Sequence, residues 1–146
     1  MHLTTTISIE FPNHDQVMHY HFHTHFMQNN AESVRYAMVL RKKVGRLIKL
    51  GYLEQCSITC DLCDVIMSPK GEFTVAMFMT CCNKTSVANA IEFFTMKRGN
   101  LSVLIHPVTI HAIEDNTHRA MWLGPSFPLD LSWLPVIRNA PLTCFH

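Results

Sequence analysis

The stretch VMHYHFHTHF, residues 17–26, places histidines at 19, 21, 23 and 25 and fills the alternate positions with Met18, Tyr20, Phe22, Thr24 and Phe26. A strict period of two marks a β-strand with two unlike faces. The even-numbered face is apolar and should meet helices, which leaves the four imidazoles on the other side of the sheet. A solvated or subunit-facing strand shows such a row. So does a metal site: residues two apart lie roughly 6–7 Å apart along a strand, and two imidazoles can lean onto one ion with bonds of about 2.1 Å. Four rings cannot all reach one ion with good geometry, so His19 or His25 is expected to be structural.

Outward from this strand, residues 29–51 repeat apolar positions at spacings of three and four through Val34, Ala37, Met38, Val44, Leu47 and Ile48, with Arg41 in the same stripe. That spacing predicts a helix, capped by Asn29 or Asn30 and closed by Gly51. Residues 52–68 read as a strand with an irregular approach, and SPKG (68–71) is a turn signal. EFTVAMFMTCC (72–82) is rich in β-formers. KTSVANAIEFFTMKRG (84–99) predicts a second helix with Val87, Ala90, Ile91 and Phe94 inward and Gly99 at its end. NLSVLIHP (100–107) is a last strand stopped by Pro107. Residues 107–146 hold five of the seven prolines and read as a long wrapping tail, and residues 1–15 as a loose lead-in.

The order strand, helix, strand, strand, helix, strand predicts one α+β domain over residues 1–146. The expected fold is a ferredoxin-like sandwich, in which two helices cover one face of a four-stranded antiparallel sheet. The other face is left for a ligand, the tail or a second subunit. In that arrangement the last strand runs antiparallel beside the first, which brings His106 toward His19, His21 or His23. Ligands distant in the chain that meet at one point make a better site than one strand alone.

Composition narrows the function classes. With 48% hydrophobic and 16% charged residues, the 146-residue chain is globular rather than disordered. A net charge of +1 gives no reason to expect nucleic acid or an acidic membrane surface as partner. No apolar run approaches the roughly 18 residues of a spanning helix, and MHLTTTISIE lacks the basic head and apolar centre of a signal peptide. A cytoplasmic location is therefore expected, and with it cysteines that are thiols or metal ligands rather than disulfides. Cys56, Cys60 and Cys63 have the C-x3-C-x2-C spacing of radical SAM cluster loops. Those enzymes are much larger, and only a short chain follows Cys63. A zinc knot with Cys81 or Cys82 is a further reading, and small buried hydrophobes the plainest.

The last third carries the most specific motifs. MKRGNLSVLIHPVTIHAIEDNTHRAMWLGPSFPLDLSWL (96–134) resembles the DOPA dioxygenase family of aromatic-ring-cleaving enzymes, through RG-LSVLIHP, Thr109, Asp115, A-WLG (120–124) and PLDLS (128–132). YHFH (20–23) is similar to that family's first-strand H-x-H, and SPKGEF (68–73) to its middle motif. The resemblance implies a ferredoxin-like fold, frequently dimeric, and a non-haem Fe(II) extradiol dioxygenase acting on a catechol such as DOPA with O2. Zinc or another divalent metal could occupy the same site. Carried over by motif, His21, His23 and His106 are the metal candidates, and His111, His118 and Asp115 are candidates for acid–base or orienting roles. The chain departs from the family pattern at Ser68, Asn116 and Arg119, where histidines are expected. These departures motivate the alternative of a catalytically inactive homologue that binds a metal or a partner on the same fold.

Overall fold

A computed structural model of the chain describes residues 17, 19–55 and 62–138. The expected lead-in over 1–15 lies outside these residues, as do Cys56, Cys60 and the end of the tail. Five strands form one antiparallel sheet, β1 (His19–Phe26), β2 (Val65–Ile66), β3 (Ala76–Asn83), β4 (Ser102–Pro107) and β5 (Met121–Leu123), in the spatial order β2-β3-β1-β4-β5. The first four in this order reproduce the ferredoxin-like arrangement. The fifth strand comes from the tail, with Val103 opposite Leu123 and Ile105 opposite Met121, so the sheet is one strand wider than expected.

Helices α1 (Ala31–Lys49) and α2 (Val87–Lys97) lie on the even-numbered face of β1. The Asn30 side chain caps α1 by accepting from the Ser33 N–H at 3.1 Å. Gly51, at φ 74°, ends the helix in the left-handed conformation that suits glycine. Ala37, Leu40 and Val44 of α1 and Ala90 and Phe94 of α2 are buried against Phe22, Phe26, Phe78, Val103 and Ile105. The Phe22 and Phe94 rings stack at 5.4 Å. Each such large apolar side chain removed from water contributes about 1.5–3 kcal/mol. Ile91 departs from expectation. It remains 38% exposed, because α2 is short and the turn of helix facing the sheet is defined by Ala90 and Phe94. No helix among the described residues is long and apolar enough to cross a membrane.

The histidine face is covered too. A second, smaller core forms there from Cys63, Phe73, Met77, Met79 and Leu104, with Ala120, Trp122 and Leu129 packed against it. The tail crosses this face and is stitched to the turn before β3. Phe73 bridges to Leu129, the Asp130 N–H donates to the Glu72 carbonyl at 2.9 Å, and Thr74 Oγ1 donates to the Pro128 carbonyl at 2.7 Å. His21, His23 and His25 are thus buried, at 5%, 4% and 1% exposure. A solvated row is excluded, because the tail supplies the apolar partners that a lone strand lacks.

The cysteine expectation needs correction. Cys63 and Cys81 are disulfide-bonded, so neither is a thiolate available to a zinc knot or cluster. Cys82 is a free, buried thiol on the helix side, and burial pushes its pKa up to about 12, which keeps it protonated and inert.

Candidate metal centre

Strand register builds the cluster. Residues opposite one another in an antiparallel pair share a face, and β4 places His106 directly opposite His21, with Leu104 opposite His23. His21 and His23 are two apart on β1, so all three rings occupy one corner of the histidine face. Val108, just past β4, donates its N–H to the His19 carbonyl at 3.0 Å and closes the ladder at this end.

The three side chains converge. One ring nitrogen from each of His21, His23 and His106 lies within 4.8 Å of the others, and all three residues are buried. Ring centroids are 5.0 Å apart for His23 and His106 and 5.3 Å for His21 and His106. His23 Nε2 and His106 Nε2 are 2.9 Å apart. Two nitrogens about 2.1 Å from a shared ion and at right angles would lie about 3.0 Å from each other, so this pair already has the spacing of neighbouring ligands. His106 Nδ1 is 2.7 Å from the Pro107 carbonyl. A carbonyl only accepts, so Nδ1 carries the proton and Nε2 offers its lone pair toward His23. This partner fixes the tautomer in the way typical of metal-bound histidine. Burial, the largest cause, lowers the His106 pKa to about 4; the Arg138 charge acts in the same direction, while the Pro107 carbonyl and Asp115 oppose. The imidazole is therefore neutral near pH 7, as a ligand must be. The donor set fits a divalent ion of intermediate softness, a class that includes iron and zinc.

His25 belongs to the same row but not to the cluster. Its ring packs on Phe73, Trp122 and Phe127, with centroids 5.7, 5.2 and 5.6 Å away. Burial lowers its pKa to about 4. The unfolded chain binds a proton at this histidine near pH 6.5, and the folded chain only near 4. Between those values the unfolded state holds more protons, so stability falls as pH drops from about 6.5 toward 4. The loss is at most about 3 kcal/mol for this residue. Urea midpoints of metal-free protein should fall through that window, and His25→Leu should make the fall shallower, with buried His106 contributing the remainder. A midpoint that is level from pH 7 to pH 4 would contradict this burial.

The other expected residues fall elsewhere. Asp115, in the short helix α3 (Ala112–Asp115), is fully buried. Its carboxylate accepts from the Thr109 N–H at 2.7 Å, from Thr109 Oγ1 at 2.8 and 2.9 Å, and from Arg119 Nη1 at 3.2 Å. These bonds fasten the loop that leaves His106. Arg119 also pairs with Glu114 at 3.2 Å, so this residue, standing where a histidine is expected, is part of the same clamp. The Asn116 amide donates to the Ala112 carbonyl at 2.8 Å. His111 is half-buried at the start of α3, His118 is exposed, and Ser68 is exposed. Trp122 packs in the second core beside His25.

Comparison with known proteins bears on these residues. The sequence profile described as the Dopa 4,5-dioxygenase family matches residues 20–133. A DOPA 4,5-dioxygenase of Amanita muscaria is 36% identical over 121 residues, 83% of this chain and 51% of that protein. An uncharacterised 21.2 kDa protein of Botryotinia fuckeliana is 29% identical over 122 residues, 75% of this chain and 60% of that protein. The chain thus spans about half to three-fifths of the length of these relatives. A solved structure of a candidate dioxygenase from Nostoc punctiforme superposes with a TM-score of 0.67 at 21% identity, covering 81% of this chain and 91% of that one, which establishes a shared fold.

Proposed function

This chain belongs to the Dopa 4,5-dioxygenase family, and from that membership we propose that it is a non-haem Fe(II) extradiol dioxygenase that opens the ring of a catechol such as DOPA. The observation that carries the reading is the buried convergence of His21, His23 and His106 within 4.8 Å. Bound there, Fe(II) would activate the catechol and O2 toward each other, the chemistry by which the ring carbon–carbon bond beside the diol breaks and both atoms of O2 enter the product.

The chain's own residues have separable tasks. His21, His23 and His106 hold the ion as neutral donors, and the Pro107 carbonyl holds the His106 ring in the required tautomer. The apolar wall of Phe73, Met79 and Leu104 limits water around the cluster. His111 is the better placed of the two proton-transfer candidates, since it is half-buried beside the Thr109 clamp while His118 is exposed. Asp115 positions the loop and touches no reacting atom in this reading, because Thr109 and Arg119 engage both of its oxygens. A homodimer belongs to the same proposal. It would cover part of the exposed Trp133, Val136 and Ile137.

Anaerobic loading with Fe(II), followed by DOPA and then air, should yield a yellow semialdehyde chromophore in step with oxygen consumption. Iron-loaded protein that consumes no oxygen with DOPA or other catechols would overturn ring cleavage. It would instead support the second reading, an inactive homologue that binds metal, which is favoured by Arg119 and Asn116 being tied into local contacts where histidines are expected.

A further inference from the structure

Arg138 lies in the tail segment that returns to the loop following β4. Its backbone N–H donates to the Ile110 carbonyl at 2.6 Å, which fixes it against the loop that follows β4, between Thr109 and His111. The residue is half-buried, and its Nε is fully buried without a hydrogen-bond partner. Its charge reaches His106, where it opposes protonation of the ring. Other arginines have acceptors for their guanidinium groups: Arg119 pairs with Glu114 and Asp115, Arg98 donates to the Leu101 carbonyl, and Arg41, whose Nε is also buried without a partner, donates through Nη2 to the Cys63 carbonyl. A guanidinium drawn partly out of water without an acceptor is unfavourable unless an anion meets it.

We propose that Arg138 is the substrate anchor, its guanidinium receiving an anionic oxygen of the catechol held at the His21–His23–His106 cluster. The inference rests on the ring-cleaving reading above and adds to it a substrate class: catechols that present an anionic oxygen to a fork of N–H donors. Two oxygens have this chemistry. One is a carboxylate on the substrate's side chain, which matches a guanidinium through two parallel hydrogen bonds. The other is a deprotonated oxygen of the diol itself.

The test is anaerobic calorimetric titration of the metal-loaded full chain with 3,4-dihydroxyphenylpropionate and with 4-methylcatechol, which lacks the carboxylate. Wild type, Arg138→Met and Arg138→Lys are compared, with metal content and melting temperature recorded for each. Arg138→Met should keep its metal and its melting temperature and bind the propionate about 10- to 100-fold more weakly, the range for losing a charge-assisted contact. Arg138→Lys should recover part of that affinity. Weakening confined to the propionate assigns the carboxylate, and equal weakening for both ligands assigns the diol oxygen. Unchanged affinity for both ligands overturns the anchor, and so does loss of metal from Arg138→Met, which would mark a structural role. Wild-type protein that holds metal but binds neither catechol would instead overturn the ring-cleaving reading on which the anchor rests.

Discussion

His106→Ala should leave a folded protein that no longer retains a divalent ion and no longer cleaves a catechol. The ring supplies one of three nitrogens in a buried cluster, and its Nε2 lies 2.9 Å from that of His23. Altering a partner that merely orients a ligand commonly costs 10- to 100-fold in metal affinity. Deleting the ligand itself should exceed about 100-fold and take turnover to background. The backbone ladder of β4 with β1 and β5 does not use the imidazole, so circular dichroism should be preserved. His25→Leu is the matched control. It alters the same histidine row, yet its ring faces Phe73, Trp122 and Phe127, and the variant should retain its metal. Metal content that is equal in His106→Ala and wild type would remove the site.

Asp115→Ala should be the costliest change for stability while sparing the ligands. The carboxylate is fully buried and satisfies the Thr109 N–H, the Thr109 hydroxyl and one Arg119 nitrogen. Removing it strands two buried donors of Thr109, itself fully buried, and leaves Arg119 with Glu114 and the Thr109 hydroxyl oxygen only. Breaking a buried charged network in this way costs about 3–5 kcal/mol, roughly 10 °C in Tm for a chain of this length. Below its lowered melting temperature the variant should still bind metal, because Asp115 contributes no nitrogen or oxygen to the cluster. A variant as stable as wild type, but unable to bind metal, would show that Asp115 ligates the ion instead of clamping the loop.

Much of this arrangement was legible in the sequence because it depends on local period. The alternation of His19 to Phe26 fixed which side chains share a face, and the element order placed the last strand beside the first. The meeting of His106 with His21 follows from those two facts. What escaped depends on contacts between distant segments. Three residues, Met121 to Leu123, are too few to show a period, so the fifth strand read as tail. The covering of the histidines by Phe73, Trp122 and Phe127 was hidden for the same reason: nothing within the segment 121–130 says which face it crosses. The oxidation of Cys63 and Cys81 is likewise a matter of proximity in the fold, not spacing along the chain. Arg138 belongs to no motif. Only its placement against Ile110 brings it toward the cluster. The acid–base assignment was drawn from motif positions, and there the fold separates three neighbours in sequence: Asp115 is buried and clamped, His111 half-buried, His118 exposed.

The most direct measurement is anomalous diffraction at the iron edge from crystals loaded anaerobically with Fe(II). A single strong peak about 2.1 Å from one ring nitrogen each of His21, His23 and His106 is the predicted result. A peak at other residues, or fully loaded protein with no density between these three rings, would contradict it.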